Sequence, residues 1–145
     1  MFPNQIVDSF RGLKTPFYYY DLDVLKTTLD QVKKHGIDRG YHIHYALKAN
    51  HKLQVLNNIR ETGLGADCVS GGEIKQALDA GISTKDIAFA GVGKSDEEII
   101  IALENDIFCF NCESPQELEV INGLANKLNK KARIALRLNP NVNAD

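Results

Sequence analysis

A parallel α/β fold is what this sequence predicts, and three observations predict it. Short apolar runs alternate with helical periodicities, one unit about every twenty to twenty-five residues. Three helices open on Ser-x-x-Glu, at Ser70–Glu73, Ser95–Glu98 and Ser114–Glu117, each just after a strand-like run. Gly36, Gly63 and Gly81 stand where helices should stop. Alternating strands and helices on short connections require right-handed crossovers, hence parallel pairing.

Residues 1–14 read as an irregular leader and 15–145 as the domain. Thr15-Pro16 leads into Phe17-Tyr18-Tyr19-Tyr20, an aromatic run suited to a first strand. Asp21 is placed to cap a helix carrying Leu22, Leu25, Leu29 and Val32 on one face, which Gly36 ends. Tyr41–Leu47 reads as the second strand, closed by Lys48, and a helix through Leu53, Leu56, Ile59 and Arg60 stops at Gly63. Strands follow at Gly65–Val69, Asp86–Ala90, Ile107–Phe110 and Arg133–Leu138, separated by the three serine-capped helices. The last of these runs to about Leu128, with Pro115 at its first position, where a missing N–H costs nothing. Such units suit a (β/α) barrel and an open doubly wound sheet alike. No Gly-x-Gly-x-x-Gly follows the first strand, which disfavours the dinucleotide-binding variant.

Composition narrows the function class. The 145 residues are 43% hydrophobic and 25% charged with net charge −2, values of an ordinary globular protein with a real core. Charges of both signs are mixed, so neither a nucleic-acid stripe nor a polybasic membrane anchor is present. The amino terminus lacks a signal peptide's apolar run, and an odd count of three cysteines favours reduced thiols and a cytoplasmic setting.

Lys48 is the first candidate for chemistry. It ends the apolar run Tyr45-Ala46-Leu47, and an ammonium beside such a run is either an ordinary strand-end charge or an amine put to use. Burial would favour the neutral amine, a nucleophile that forms Schiff bases with carbonyl compounds. Alternation places His42, His44, Ala46 and Lys48 on one strand face, and Arg133, Ala135, Arg137 and Asn139 on another. With large apolar residues under helices, Lys48, Asp67, Arg137 and Asn139 would gather at the carboxyl ends of their strands, where α/β active sites lie.

Three other patterns compete. His42 and His44 share a face that a metal could use, but no third ligand is evident, so no metal site is expected. Cys109-Phe110-Asn111-Cys112 has redox spacing, but neither cysteine opens a helix, and chance spacing is the expected account. Ala88–Ser95 approximates a phosphate-binding loop around Gly93-Lys94-Ser95. Asp96, Glu97 and Glu98 would then repel a polyphosphate, and no later strand ends in an aspartate placed for Mg²⁺.

The stretches Tyr45–Asn50, Gly63–Glu73, Gly91–Glu98, Phe110–Ser114 and Arg137–Val142, in this order, resemble the diaminopimelate decarboxylases. These belong to the alanine-racemase-like, fold-type III pyridoxal phosphate enzymes. The lysine motif alone also suits alanine racemases, ornithine- or arginine-type decarboxylases and non-catalytic pyridoxal phosphate-binding barrels. The other segments narrow the resemblance to the diaminopimelate branch or a relative such as carboxynorspermidine decarboxylase. The resemblance implies a (β/α)8 TIM-type barrel with pyridoxal 5'-phosphate held as a Schiff base on Lys48. It places Asp67 and Arg137 near the cofactor, and it implies decarboxylation of diaminopimelate to lysine by a homodimer. It also implies that the phosphate-binding loop, the acid facing the pyridine nitrogen and a C-terminal β domain lie beyond Asp145. About five or six of eight barrel strands are then expected here, as an N-terminal portion inactive on its own.

Overall fold

The computed structural model describes residues 4–138 and 140. In chain order come α1 (Asn4–Phe10), α2 (Leu22–His35), β1 (His44–Ala46), α3 (Leu53–Thr62), β2 (Gly65–Cys68) and α4 (Gly71–Asp79). Then follow β3 (Ile87–Phe89), α5 (Asp96–Glu104), β4 (Cys109–Cys112), α6 (Pro115–Lys127) and β5 (Ile134–Leu136). The five strands are all parallel and lie in sequence order, β1-β2-β3-β4-β5. A doubly wound sheet reverses its order at a switch point, and this one does not, so the architecture is the advancing arc of a barrel.

Alternation sorts the strand residues onto two faces. Ala66, Cys68, Ile87, Phe89, Phe110 and Cys112 are buried with Leu56, Ile74, Ile99, Leu103 and Ile121 in the main core. Each large apolar side chain so buried contributes about 1.5–3 kcal/mol before the entropy of ordering is charged. Phe89 and Phe110 pair in register on adjacent strands, with ring centroids 6.1 Å apart. A second cluster, Leu29, Val55, Ile59 and Leu64, holds α2 against α3. The opposite face carries Ala46, Asp67, Ala88 and Cys109 in one register line, then Asn111 beside Ala135. Its side chains are small or polar, as the sequence requires of an inner barrel face.

Helix ends follow local chemistry. Asp21 Oδ1 accepts from the amides of Asp23 (3.0 Å) and Val24 (3.1 Å), and Gly36 closes α2. Gly63 ends α3 at φ 86°, a left-handed conformation that suits glycine.

Several expected boundaries are corrected. The leader carries α1 instead of being irregular. Phe17–Tyr20 forms no strand: β-propensity reflects packing on neighbouring strands, and no ladder is made there. Four strands are also shorter than their apolar runs, and β4 keeps its length but is shifted. β1 stops at Ala46, because Leu47–Ala49 turns into a 3-10 helix, and β4 begins two residues late, at Cys109.

Gly65 marks one steric limit. A Cβ there would meet the His44 ring and the backbone carbonyl oxygen of Asp86. Gly65→Ala is therefore expected to destabilise the fold by about 1–3 kcal/mol. The effect should appear as a lower urea midpoint with an unchanged slope.

Candidate functional site

The carboxyl end of the sheet is built on glutamates that accept backbone amides. At α5 the reciprocal capping box is complete: Ser95 Oγ accepts from the Glu98 amide (3.4 Å), and Glu98 Oε2 accepts from the Ser95 amide (3.0 Å). At α4 and α6 the serines cap as expected, accepting from the amides of Glu73 and Glu117 at 3.2 Å. Their glutamates, however, reach one residue further back, to the amides of Val69 and Glu113, both at 2.7 Å. The backbone accounts for the difference. Ser70 and Ser114 are extended at φ −153° and −152°, while Ser95 sits at −77°, so different amides point at the helix start. Glu98 also joins neighbouring helices, since its Oε1 accepts from the Gly71 amide at 2.8 Å. The amides of Ser95 and Gly71 together hold its carboxyl below the usual carboxylate range.

Lys94 fills the space beneath these caps. Its Nζ donates to Gly91 O (2.7 Å), Asn111 O (2.9 Å) and Glu117 Oε1 (2.6 Å), 5.3 Å from the Phe89 ring centre. Its side chain is 1% exposed. All three ammonium protons are engaged, so Lys94 has none left for a nucleotide, and the phosphate-loop alternative gives way to a structural role.

Beside this scaffold lies an open depression of about 400 Å³, lined by Asp67, Ala90, Asn111, Glu113, Ala135, Leu136 and Arg137. Arg137 Nη1 donates to Glu113 Oε1 at 3.3 Å. Lys48 stands at the same end of the sheet, on the 3-10 turn after β1, where Ala46 pairs with Asp67. Its side chain is exposed, and the strand ends before it. Among the described residues Lys48 makes no hydrogen bond or ion pair. The turn that presents it is fixed: Tyr45 donates its hydroxyl to Asn50 O (3.1 Å), and Asn50 Oδ1 accepts from the Lys52 amide (3.0 Å).

Asp67 and Arg137 therefore share one depression, and Lys48 is not in its lining; it follows β1, the strand that pairs with β2 and Asp67. Asn139 lies outside the described residues, as do Asn141 and Val142 of the quoted Arg137–Val142 segment. Asn111 and Glu113 join the lining although sequence reasoning did not single them out. Continuing the alternation past Phe110 would have put Asn111 on the inner face.

The competing patterns resolve differently. His44 is half-buried against Phe108, with ring centroids 5.6 Å apart, and burial lowers its pKa. It lines a separate hollow at the amino ends of the strands with His42 and Asp86. Among the described residues no group of three or more His, Cys, Asp or Glu could hold a metal ion. Cys109 and Cys112 alternate to opposite faces of one strand, and burial raises both thiols. Burial also pushes Cys68 up to about 12, so these thiols stay protonated and unreactive.

Residues 23–145 match the family model described as the pyridoxal-dependent decarboxylase, pyridoxal binding domain. The chain belongs to that family. A diaminopimelate decarboxylase of Bacteroides thetaiotaomicron is 55% identical over 139 residues, covering 95% of this chain and 36% of that protein. One from Helicobacter pylori is 48% identical over 135 residues, covering 93% and 33%. The crystal structure of diaminopimelate decarboxylase from Helicobacter pylori complexed with L-lysine matches at TM-score 0.86 and 45% identity, over 94% of this chain and 35% of that one. The chain thus spans about a third of the length of its curated relatives. The fold is the barrel fold of these decarboxylases, and their cofactor is pyridoxal phosphate. Among the described residues no helix is long and apolar enough to cross a membrane.

The Glu98 carboxyl gives a pH prediction. Its pKa is depressed in the folded state, so its contribution is present above the ordinary value of 4.5 and lost as pH falls through the lower folded value. Glu98→Gln is expected to cost about 1 kcal/mol at neutral pH, discounted for exposure. The gap to wild type in denaturant unfolding should close as pH drops below 4.5.

Proposed function

We propose that residues 15–145 form the N-terminal part of the pyridoxal phosphate-binding barrel of a diaminopimelate decarboxylase. The reaction is decarboxylation of meso-2,6-diaminopimelate to L-lysine, carried out in the cytoplasm by a homodimer. The observation that carries the reading is Lys48, an ammonium with no protein partner among the described residues, held on a fixed turn at the carboxyl end of β1. It stands in a chain 55% identical over 139 residues to a diaminopimelate decarboxylase.

The residues present suit the cofactor. Lys48 offers an amine for its aldehyde, and the Arg137 guanidinium offers charge and planar donors beside Asp67 and Asn111. Alanines at positions 46, 88, 90 and 135 leave room on the inner face for a flat ring. When bound, pyridoxal phosphate supplies an aldehyde that takes the substrate amine and a ring that accepts the electrons left as carbon dioxide departs.

This chain's residues have distinct tasks. Lys48 Nζ would hold the cofactor at its aldehyde and, when not so engaged, could take up or give a proton at Nζ. The carbon that loses its carboxyl group regains a proton, which balances the reaction. Arg137 binds through its guanidinium, oriented by Glu113. Asp67 places an acceptor on the strand next to the one that leads to Lys48.

Borohydride reduction with pyridoxal phosphate, followed by peptide mapping, tests the reading on the protein at its natural length. The label is expected on Lys48, and Lys48→Ala should lose it along with about a thousandfold in turnover. A label on another lysine, or none, overturns the assignment.

A further inference from the structure

We propose that Lys94 is a positioning residue for Arg137, acting through Glu117 and Glu113; this rests on the reading of Arg137 as a cofactor-facing group. Three consecutive residues at the end of β4 are tied in different directions. Asn111 O accepts from Lys94 Nζ (2.9 Å), Cys112 O accepts from the Arg137 amide (3.0 Å), and the Glu113 amide donates to Glu117 Oε2 (2.7 Å). The other oxygen of Glu117 takes Lys94 Nζ at 2.6 Å. Lys94 thus fixes both sides of Cys112, one directly and one through Glu117. The Glu113 side chain, 14% exposed, is then aimed at Arg137 Nη1, 3.3 Å away.

Stability alone accounts poorly for this arrangement. A buried ion pair is often replaced by apolar residues at no cost, because desolvation offsets the attraction. The Lys94 side chain is 1% exposed and that of Glu117 is 13%, so both charges are desolvated for little net gain. What the pair provides is direction. Two of its three acceptors hold the segment that carries Glu113, and Arg137 itself is 60% exposed at the side chain. A guanidinium on a long side chain samples many rotamers unless a fixed carboxylate selects one.

A double-mutant cycle on the protein at its natural length tests this, read by pyridoxal phosphate titration through its visible absorbance. Lys94→Met should weaken cofactor binding about tenfold when Arg137 is present and by less than about twofold in an Arg137→Ala background. Lys94→Arg should recover most of the loss. Glu113→Gln leaves the Lys94 contacts in place and should give the same non-additive pattern, which keeps the test open if Lys94→Met does not fold. Equal losses with and without Arg137, or no loss, overturn the proposal. The Arg137 Nε–Hε resonance in the cofactor-free protein, observed by ¹⁵N-arginine labelling, supplies an independent readout. It should move toward that of an unrestrained side chain in Lys94→Met or Glu113→Gln, and an unmoved signal also overturns the proposal. Should wild type take no label on Lys48, the decarboxylase reading fails, while the resonance still decides the link from Lys94 to Arg137.

Discussion

The carboxyl ends of β2, β3 and β4 depend on glutamate carboxylates accepting backbone amides where the next helices begin. Glu73 and Glu117 accept from the residue before a capping serine, and Glu98 accepts from the capping serine itself. The serine hydroxyls take amides of the first helical turn, the carboxylates take amides just outside it, and the helix's positive end favours the anion. Charge-assisted bonds of this kind contribute about 1.5–3 kcal/mol each where they are shielded from water. Their structural consequence is larger than their energy. Glu98 reaches from α5 to the Gly71 amide of α4, and Glu117 reaches from α6 to Lys94 before α5, so neighbouring βα units are locked to one another.

That locking separates the two faces of the sheet. The helix side carries Phe89, Phe110, Ile87 and their neighbours, and its packing supplies most of the stability. The inner side is lined by alanines, Asp67, Asn111 and Arg137, which contribute little to packing and are left to chemistry. The two lysines at this end illustrate the division. Lys94 is buried and fully engaged, while Lys48 is exposed and engages none of the described residues. Both follow short apolar stretches in the sequence. Only the surrounding acceptors distinguish a structural ammonium from an available one.

What the sequence made legible was local. Asp21, Gly36, Gly63 and the three capping serines act within a few residues of themselves, and each appears where its chemistry puts it. Strand alternation likewise assigned Asp67 and Arg137 to one face. Illegible features depended on contacts distant in sequence. Whether Phe17–Tyr20 becomes a strand depends on a neighbour to pair with, and the target of each capping glutamate depends on the φ of a serine and on the next helix. Asn111 and Glu113 were missed because the apolar signal of β4 peaks before the strand does. The exposure of Lys48 stayed open for a similar reason: nothing in Tyr45–Leu47 shows that the ladder stops at Ala46.

The exposure of Lys48 changes how its reactivity is to be understood. β1 and its neighbours leave the Lys48 side chain exposed. Placement remains. The turn carrying Lys48 is closed by Tyr45 and Asn50, and Asp67 lies on the next strand beside the residue that leads into that turn. Under the proposed function, a cofactor held among Asp67, Asn111 and Arg137 would have to be reached by Lys48 from that fixed turn. Positioning of this kind lowers the entropic part of a barrier when it brings the reacting atoms into contact. On this view the glutamate-locked scaffold serves the chemistry by fixing distances among groups that remain, individually, open to solvent.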